Sequence, residues 1–130
     1  MESIKINTGI IKLEIDRDGE KSVISFNPND IEFVDKLYNL FFEFEEKQKE
    51  YESKRAEIER QCNQDGALDG ISQQIALAKE VCLYLKDKVD YVFGVGTSEK
   101  VFGRALDIEM FPQFFDGIVP FIQKASNDRI

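Results

Sequence analysis

Two series of residues, each spaced alternately three and four positions apart, constrain the fold more than any other feature of the sequence. The first series is Val34, Leu37, Phe41, Phe44, Gln48, Tyr51, Arg55, Ile58 and Cys62. The second series is Ile71, Ile75, Ala78, Cys82, Leu85, Val89 and Val92. Residues 63–70 between them contain two glycines and are predicted to end the first helix. The pattern predicts a long antiparallel helical hairpin.

Folding the chain back about this loop places the two series in register. The predicted layers are Cys62 with Ile71, Ile58 with Ile75, Arg55 with Ala78, Tyr51 with Cys82, Gln48 with Leu85, Phe44 with Val89, and Phe41 with Val92. Flanking charges favour the same alignment, with Glu45, Glu52 and Glu59 beside Lys79 and Lys86. The alternative is two unrelated amphipathic helices that each face some other core.

The first residues alternate as a strand does. Apolar side chains recur at Ile4, Ile6, Ile11, Leu13 and Ile15, and a second apolar run follows at residues 23–26. Residues 16–19, Asp-Arg-Asp-Gly, are typical of a tight turn. These features predict a β-hairpin with a kink at Gly9, which must pack on something helical to be stable.

Local signals mark the ends of the helices. Asn27 can cap the first helix, Pro28 suits its first position, and Asp30 favours its positive end. Gly94 and Gly96 interrupt the second helix, and Glu99 stands where a GxGxxG phosphate loop needs its third glycine, so a helix break is the better interpretation. Short helices are expected afterwards, one capped by Ser98 and running to about Leu106, and one capped by Asp107.

The expected fold class is therefore α+β and mainly α, in one domain over residues 1–130. Residues 1–27 form the β-hairpin, residues 28–93 the long helical hairpin, and residues 94–130 the short C-terminal helices. The last segment is rich in aromatic side chains. We predict that it binds a protein partner through Phe111, Phe114, Phe115 and Phe121. The alternative is that these rings are simply the remaining core.

Charge and composition exclude several classes of function. The chain has 25 acidic and 17 basic residues and a formal net charge of −8, which disfavours nucleic acid and membrane partners. No histidine is present, and Cys62 and Cys82 lack CxxC spacing, so we expect no metal, no cofactor and two buried, reduced thiols. Asp65 and Asp69 lack calcium-loop spacing. A cytoplasmic location is expected because no signal or membrane-spanning segment is evident.

An enzyme remains a remote alternative. An all-helical nucleotide pyrophosphatase holds magnesium through carboxylates three residues apart on facing helices. Glu43 with Glu46 and Asp87 with Asp90 have this spacing, but the predicted heptads point all four outward. We therefore expect a protein without catalytic residues.

A short β-start, residues 26–30 entering a long acidic helix, and a C-terminal Phe102-Gly103 followed by Phe114-Phe115 resemble the small tail-module proteins of phages and prophages of Gram-positive bacteria. The tail assembly chaperones are the nearest group. The resemblance implies a non-enzymatic chaperone that holds the helical tape measure protein, and tube subunits with it, in the bacterial cytoplasm, and it implies no catalytic residues. A competing hypothesis is a structural or regulatory module whose long hairpin mediates self-association.

Overall fold

The structure, a computed structural model, describes the backbone of residues 1–65 and 67–128 and the side chains of residues 1–61 and 68–124. Two strands are followed by four helices. They are β1 (Ile11–Arg17), β2 (Glu20–Phe26), α1 (Ile31–Asp65), α2 (Ala67–Phe93), α3 (Thr97–Phe102) and α4 (Met110–Asp128). The predicted fold class, mainly α with an N-terminal β-hairpin and a long helix pair, is confirmed.

The β-hairpin forms where its turn residues predict it. β1 and β2 pair antiparallel, with Arg17 opposite Glu20. Asp18 and Gly19 have φ of 53° and 93°, as a two-residue type I′ turn requires, and the Gly19 N–H donates to the Asp16 carboxylate. Residues 1–10, in contrast, lie outside both strands and are exposed. The strand predicted at Ile4 and Ile6 is therefore wrong for the single chain.

The first helix begins later than the sequence predicted. Asn27 and Pro28 belong to a turn, in which the Asp30 N–H donates to the Asn27 carbonyl and the Asn29 N–H donates to the Asn27 side chain. Asp30 caps α1 instead, because its carboxylate accepts the Glu32 N–H. The polar side chain nearest the helical run performs the capping.

The two long helices are antiparallel. The ammonium group of Lys36 lies 4.9 Å from the centre of the Tyr91 ring, and that of Lys47 lies 4.5 Å from the centre of the Tyr84 ring. The later residue of α1 thus contacts the earlier residue of α2, as it does when two helices run in opposite directions. The helices extend into the predicted loop, since α1 ends at Asp65 and α2 begins at Ala67. The predictions for Gly66 and for the side chains of Cys62 and Asp65 fall outside the described residues.

The predicted layers are rotated relative to the structure. Phe41 and Phe44 were expected to face α2, but their rings contact Phe115 of α4, at centroid distances of 5.5 and 5.1 Å. Gln48 and Arg55 are exposed. α4 packs against this helix pair, and the apolar face of α1 is turned towards α4. The α1–α2 contact consequently includes cations over tyrosine rings.

The predicted charge pairs across the hairpin are also wrong in detail. Glu59 pairs with Arg55 of its own helix, at 3.6 Å, and Lys86 donates to the Gly103 carbonyl at 3.0 Å. The link across the pair is instead made by Glu43, which lies 3.6 Å from the Lys88 ammonium and accepts the Tyr84 hydroxyl. The rotation of the helices moves Glu43 from its predicted outward position to the boundary between α1 and α2.

The helix break at Gly94 and Gly96 is confirmed, with φ of 115° and 92°. α3 then ends at Phe102, with Gly103 as its C-cap, earlier than the predicted Leu106. Ser98 does not cap this helix but lies within it. Asp107 accepts the Glu109 N–H ahead of α4, as its predicted capping role requires.

One core includes residues from both strands and from α1, α2, α3 and α4. Rings from three elements meet where β2, α1 and α2 converge, with Phe26 5.7 Å from Phe33, and Phe93 5.9 Å from Phe26. Phe114 of α4 extends the cluster at 5.3 Å from Phe93. Leu37, Leu85 and Val89 are fully buried beside these rings. The far ends of α1 and α2 project beyond this core.

Candidate protein-binding surfaces

The C-terminal rings that were expected to bind a partner are mostly core. Phe111, Phe114 and Phe115 expose 0%, 8% and 5% of their surface, so none of these three is accessible as an anchor. Phe121 alone of the four remains exposed, at 38%. The prediction of a surface cluster is therefore corrected: the ring of Phe121 is exposed, and the other three rings are buried.

The periodicity of α4 explains this division. Phe111, Phe114, Phe115, Ile118 and Ile122 recur at three- and four-residue steps and cover one face of the helix. Phe102 of α3 meets Phe111 at 4.6 Å and Phe114 at 5.6 Å. This face of α4 packs on both long helices, so its five residues are buried and do not form a surface for a partner.

An uncovered apolar surface lies instead on the distal half of α2. Leu68, Ile71 and Ile75 expose 84%, 53% and 62% of their surface. They share one helix face at steps of three and four residues, and we call this face the distal stripe. The same series continues to Cys82, Leu85 and Val89, which are buried by the core. The distal stripe thus continues this buried series of α2 residues beyond the part of the helix that the core covers.

The surroundings of the distal stripe differ from the opposite helix. Residues 67–78 carry one charged side chain, Asp69, whereas twelve of the eighteen residues at positions 43–60 of α1 are charged. Pairs within α1, such as Lys54 with Glu50 at 2.7 Å, help to keep that helix solvated. Because of its Lys54 partner, the pKa of the Glu50 carboxyl lies below its usual range. This part of α1 is therefore strongly solvated, whereas the distal half of α2 presents a nearly neutral, apolar face.

A second uncovered surface is a groove between β1 and α4, which we call the β1–α4 groove. It encloses about 540 Å³. Leu13 and Ile15 line it from the strand, and Ile118 and Phe121 line it from the helix. Among the described residues its rim is acidic, with Glu14, Asp16, Asp18 and Asp107 against the one cation Arg17. Phe121, the remaining member of the predicted site, belongs to this groove.

The carboxylates considered for magnesium are held by separate partners. Glu43 contacts Tyr84 and Lys88, whereas Asp90 accepts hydrogen bonds from Ser98. Among the residues whose placement is described, no group of three or more acidic or cysteine side chains is arranged to hold a metal ion. The facing carboxylates therefore do not form a metal centre within this part of the chain.

Sequence reasoning missed the distal stripe because it assigned Ile71 and Ile75 to the helix seam. A signal was nonetheless present. The partners required by the seam at this level lie in a highly charged part of α1, where Ile58 stands between two glutamates and the next seam position is Arg55. An apolar series opposite a mainly charged segment indicates a helix face that packs against a different partner.

Comparisons with known proteins identify a family but no activity. Residues 19–130 match the model of a family of unknown function, DUF6673. No curated protein and no solved structure gives a significant match. None of the described helices is long and apolar enough to cross a bilayer.

Proposed function

The chain belongs to DUF6673, a family without an assigned activity, and we propose from its surface that it is a non-enzymatic protein-binding protein of the tail assembly chaperone kind. Its client is a helical segment of a tape measure protein, held in the bacterial cytoplasm. The observation that carries the proposal is the distal stripe, where Leu68, Ile71 and Ile75 form an exposed apolar row on one face of α2.

The geometry of the stripe suits a helical client. An amphipathic helix binds through apolar anchors three and four residues apart, which is the spacing of Leu68, Ile71 and Ile75. The stripe continues a seam that already packs helix against helix in the core. A client helix laid along it would extend that packing with the same periodicity.

Charge favours a basic client. The formal net charge of the chain is −8, and electrostatic complementarity raises association rates and selects partners of opposite sign. The distal stripe itself is nearly neutral, so a client would bury its apolar anchors there without burying unpaired charges. Its flanking basic residues would meet the acidic side chains of α1.

The decisive experiment is co-expression with the tape measure protein encoded in the same genome. We expect a soluble complex that survives purification. The variant Ile71→Asp/Ile75→Asp should lose the complex by at least tenfold in affinity, because two charges would enter an apolar contact.

Leu83→Asp is the matched control. Leu83 is also exposed on α2, at 49%, but it points about 80° away from Ile75 around the helix axis. This variant should bind the client as the unsubstituted chain does. Equal binding by all three proteins would move the client site away from the distal stripe, and failure to form any complex would refute the chaperone proposal.

Self-association is the competing function, and one observation favours it. Two copies of α2 packed antiparallel would place Ile71 opposite Ile75 of the other copy, and Leu68 opposite Ala78, so that the distal stripe is complementary to itself. Mass measurements over a range of concentrations separate the two functions. A dimer abolished by Ile71→Asp/Ile75→Asp in the absence of client would support the self-associating module.

A further inference from the structure

The first ten residues have the pattern of a strand but no strand partner. Ile4 and Ile6 alternate with Lys5, and in the structure these two isoleucines are 89% and 80% exposed. We call residues 1–10 the N-terminal arm. Two large apolar side chains on one face of an exposed strand-like segment form an apolar patch, which is the kind of surface that binds a partner.

The outer edge of β1 offers such a surface. The sheet has two strands in the order β1-β2, so within the described residues no further strand pairs with β1 on its other side. Arg17 and Glu20 flank a two-residue turn and form a hydrogen-bonded pair, and the pattern alternates from there. The backbone N–H and C=O groups of Lys12, Glu14 and Asp16 therefore point away from β2, towards the free edge.

The β1–α4 groove lies beside this edge and has an apolar floor. Leu13 and Ile15 present their side chains to it, together with Ile118 and Phe121 of α4. A strand added at the edge would alternate as β1 does, with one set of side chains entering the groove and the other facing solvent. The arm supplies Ile4 and Ile6 for the groove.

Charge on the outer face agrees with this placement. With Ile4 and Ile6 in the groove, Lys5 falls on the opposite face, where Glu14 and Asp16 of β1 lie. A strand whose middle residue is a lysine matches these two carboxylates, since opposite charges on neighbouring strands stabilise their pairing.

The structure also directs the arm away from its own groove. Gly9 has φ of 81°, and any side chain there would collide with the amide of Asn29 in the turn before α1. This close packing holds Gly9 beside that turn, and in the single chain Ile4 and Ile6 are exposed. We propose that the N-terminal arm of one copy adds as a third strand to β1 of a second copy, with Ile4 and Ile6 in the β1–α4 groove of that copy. Reciprocal exchange closes a two-fold dimer.

Sedimentation of the full chain tests the assembly. We expect twice the monomer mass at micromolar concentration, and a return to the monomer mass in Ile6→Asp. Val95→Asp is the matched control, because Val95 is 99% exposed and lies in the loop after α2. The Val95→Asp variant should sediment with the mass of the dimer. A monomer at every concentration, or an Ile6→Asp dimer, would overturn the proposal.

Disulfide trapping identifies the route of the arm. In a Cys62→Ser background, a chain carrying Lys5→Cys is mixed with a differently tagged chain carrying Glu14→Cys and oxidised gently. A covalent pair joining the two tags is expected. If that pair is absent and a chain with both substitutions closes only on itself, the arm folds back on its own β1 and the exchange is refuted. The disulfide readout involves neither the distal stripe nor a client, so it is independent of the proposed function.

Discussion

The Asp90 carboxylate accepts two hydrogen bonds from Ser98, one from the backbone N–H at 2.8 Å and one from the hydroxyl at 3.0 Å. Asp90 lies in the last turn of α2, and Ser98 lies in the first turn of α3. No side chain of α3 itself caps that helix, because Gly96 precedes it in a left-handed conformation. The carboxylate therefore joins two helices across the Gly94–Gly96 break.

The contribution of this link is measurable. Asp90→Ala should lower the free energy of unfolding by about 2 kcal/mol, because it removes two charge-assisted hydrogen bonds and the cap of α3. Asp87→Ala, at an exposed position on the same helix, should change it by less than about 0.5 kcal/mol. Urea unfolding followed by circular dichroism gives both values. Equal losses would show that the carboxylate of Asp90 has no special role.

The aromatic residues of α4 should separate into two classes. Phe115→Ala should lower the free energy of unfolding by about 3 to 5 kcal/mol, since the ring is buried against Phe41 and Phe44. Phe121→Ala, at the wall of the groove, should cost about 1 kcal/mol or less in the monomer. The comparison is made by thermal unfolding of Ile6→Asp protein. A large loss for Phe121→Ala would place that ring in the core.

Two glycines should respond with opposite signs to the same substitution. Gly19→Ala should destabilise the protein by about 1 kcal/mol or more, because φ of 93° is strained for any residue with a side chain. Gly117→Ala should stabilise it by about 0.5 to 1 kcal/mol, since Gly117 lies within α4 and, apart from its own turn of the helix, none of the described residues places an atom within 4 Å of an added Cβ. Chemical unfolding of both variants provides the measurement, and a change of the same sign in both would contradict it.

The thiol of Cys82 should be unreactive. Burial raises the pKa of this thiol, an effect that exceeds the opposing influence of Lys86, and its surface is fully covered. In a Cys62→Ser background at pH 8, alkylation should be slower than for a free thiol by at least tenfold and should accelerate in urea. Since folding disfavours the thiolate, stability should fall as pH rises above the ordinary thiol pKa. Rapid alkylation of the folded protein would contradict the burial.

The sequence predicted those parts of the fold that are determined by neighbouring residues. Asp18 and Gly19 specify a turn by their own backbone preferences, and Gly94 and Gly96 stop a helix for the same reason. The rotation of α1 and α2 was beyond such reasoning. It depends on Phe115, which contacts Phe41 and Phe44 from a helix far along the chain. Helix periodicity shows that an apolar face exists but does not identify which neighbour covers it.

The same limit applies to the candidate binding surfaces. Phe111 and Ile71 have similar apolar surroundings in the sequence, yet the first is fully buried and the second is 53% exposed. The difference arises because α4 covers the proximal half of the helix pair and leaves the distal half uncovered. Only the placement of α4 in space separates core residues from exposed ones.

The contact between Phe41 and Phe115 also governs when the protein can fold during synthesis. Phe115 lies 74 positions after Phe41, so α1 and α2 leave the ribosome well before the helix that covers them. Until α4 emerges, the nascent chain presents Phe41, Phe44 and Phe93 to solvent. Folding must therefore wait for the last segment of this domain, and a ribosome stalled before α4 would hold a chain with its future interior open to chaperones and proteases.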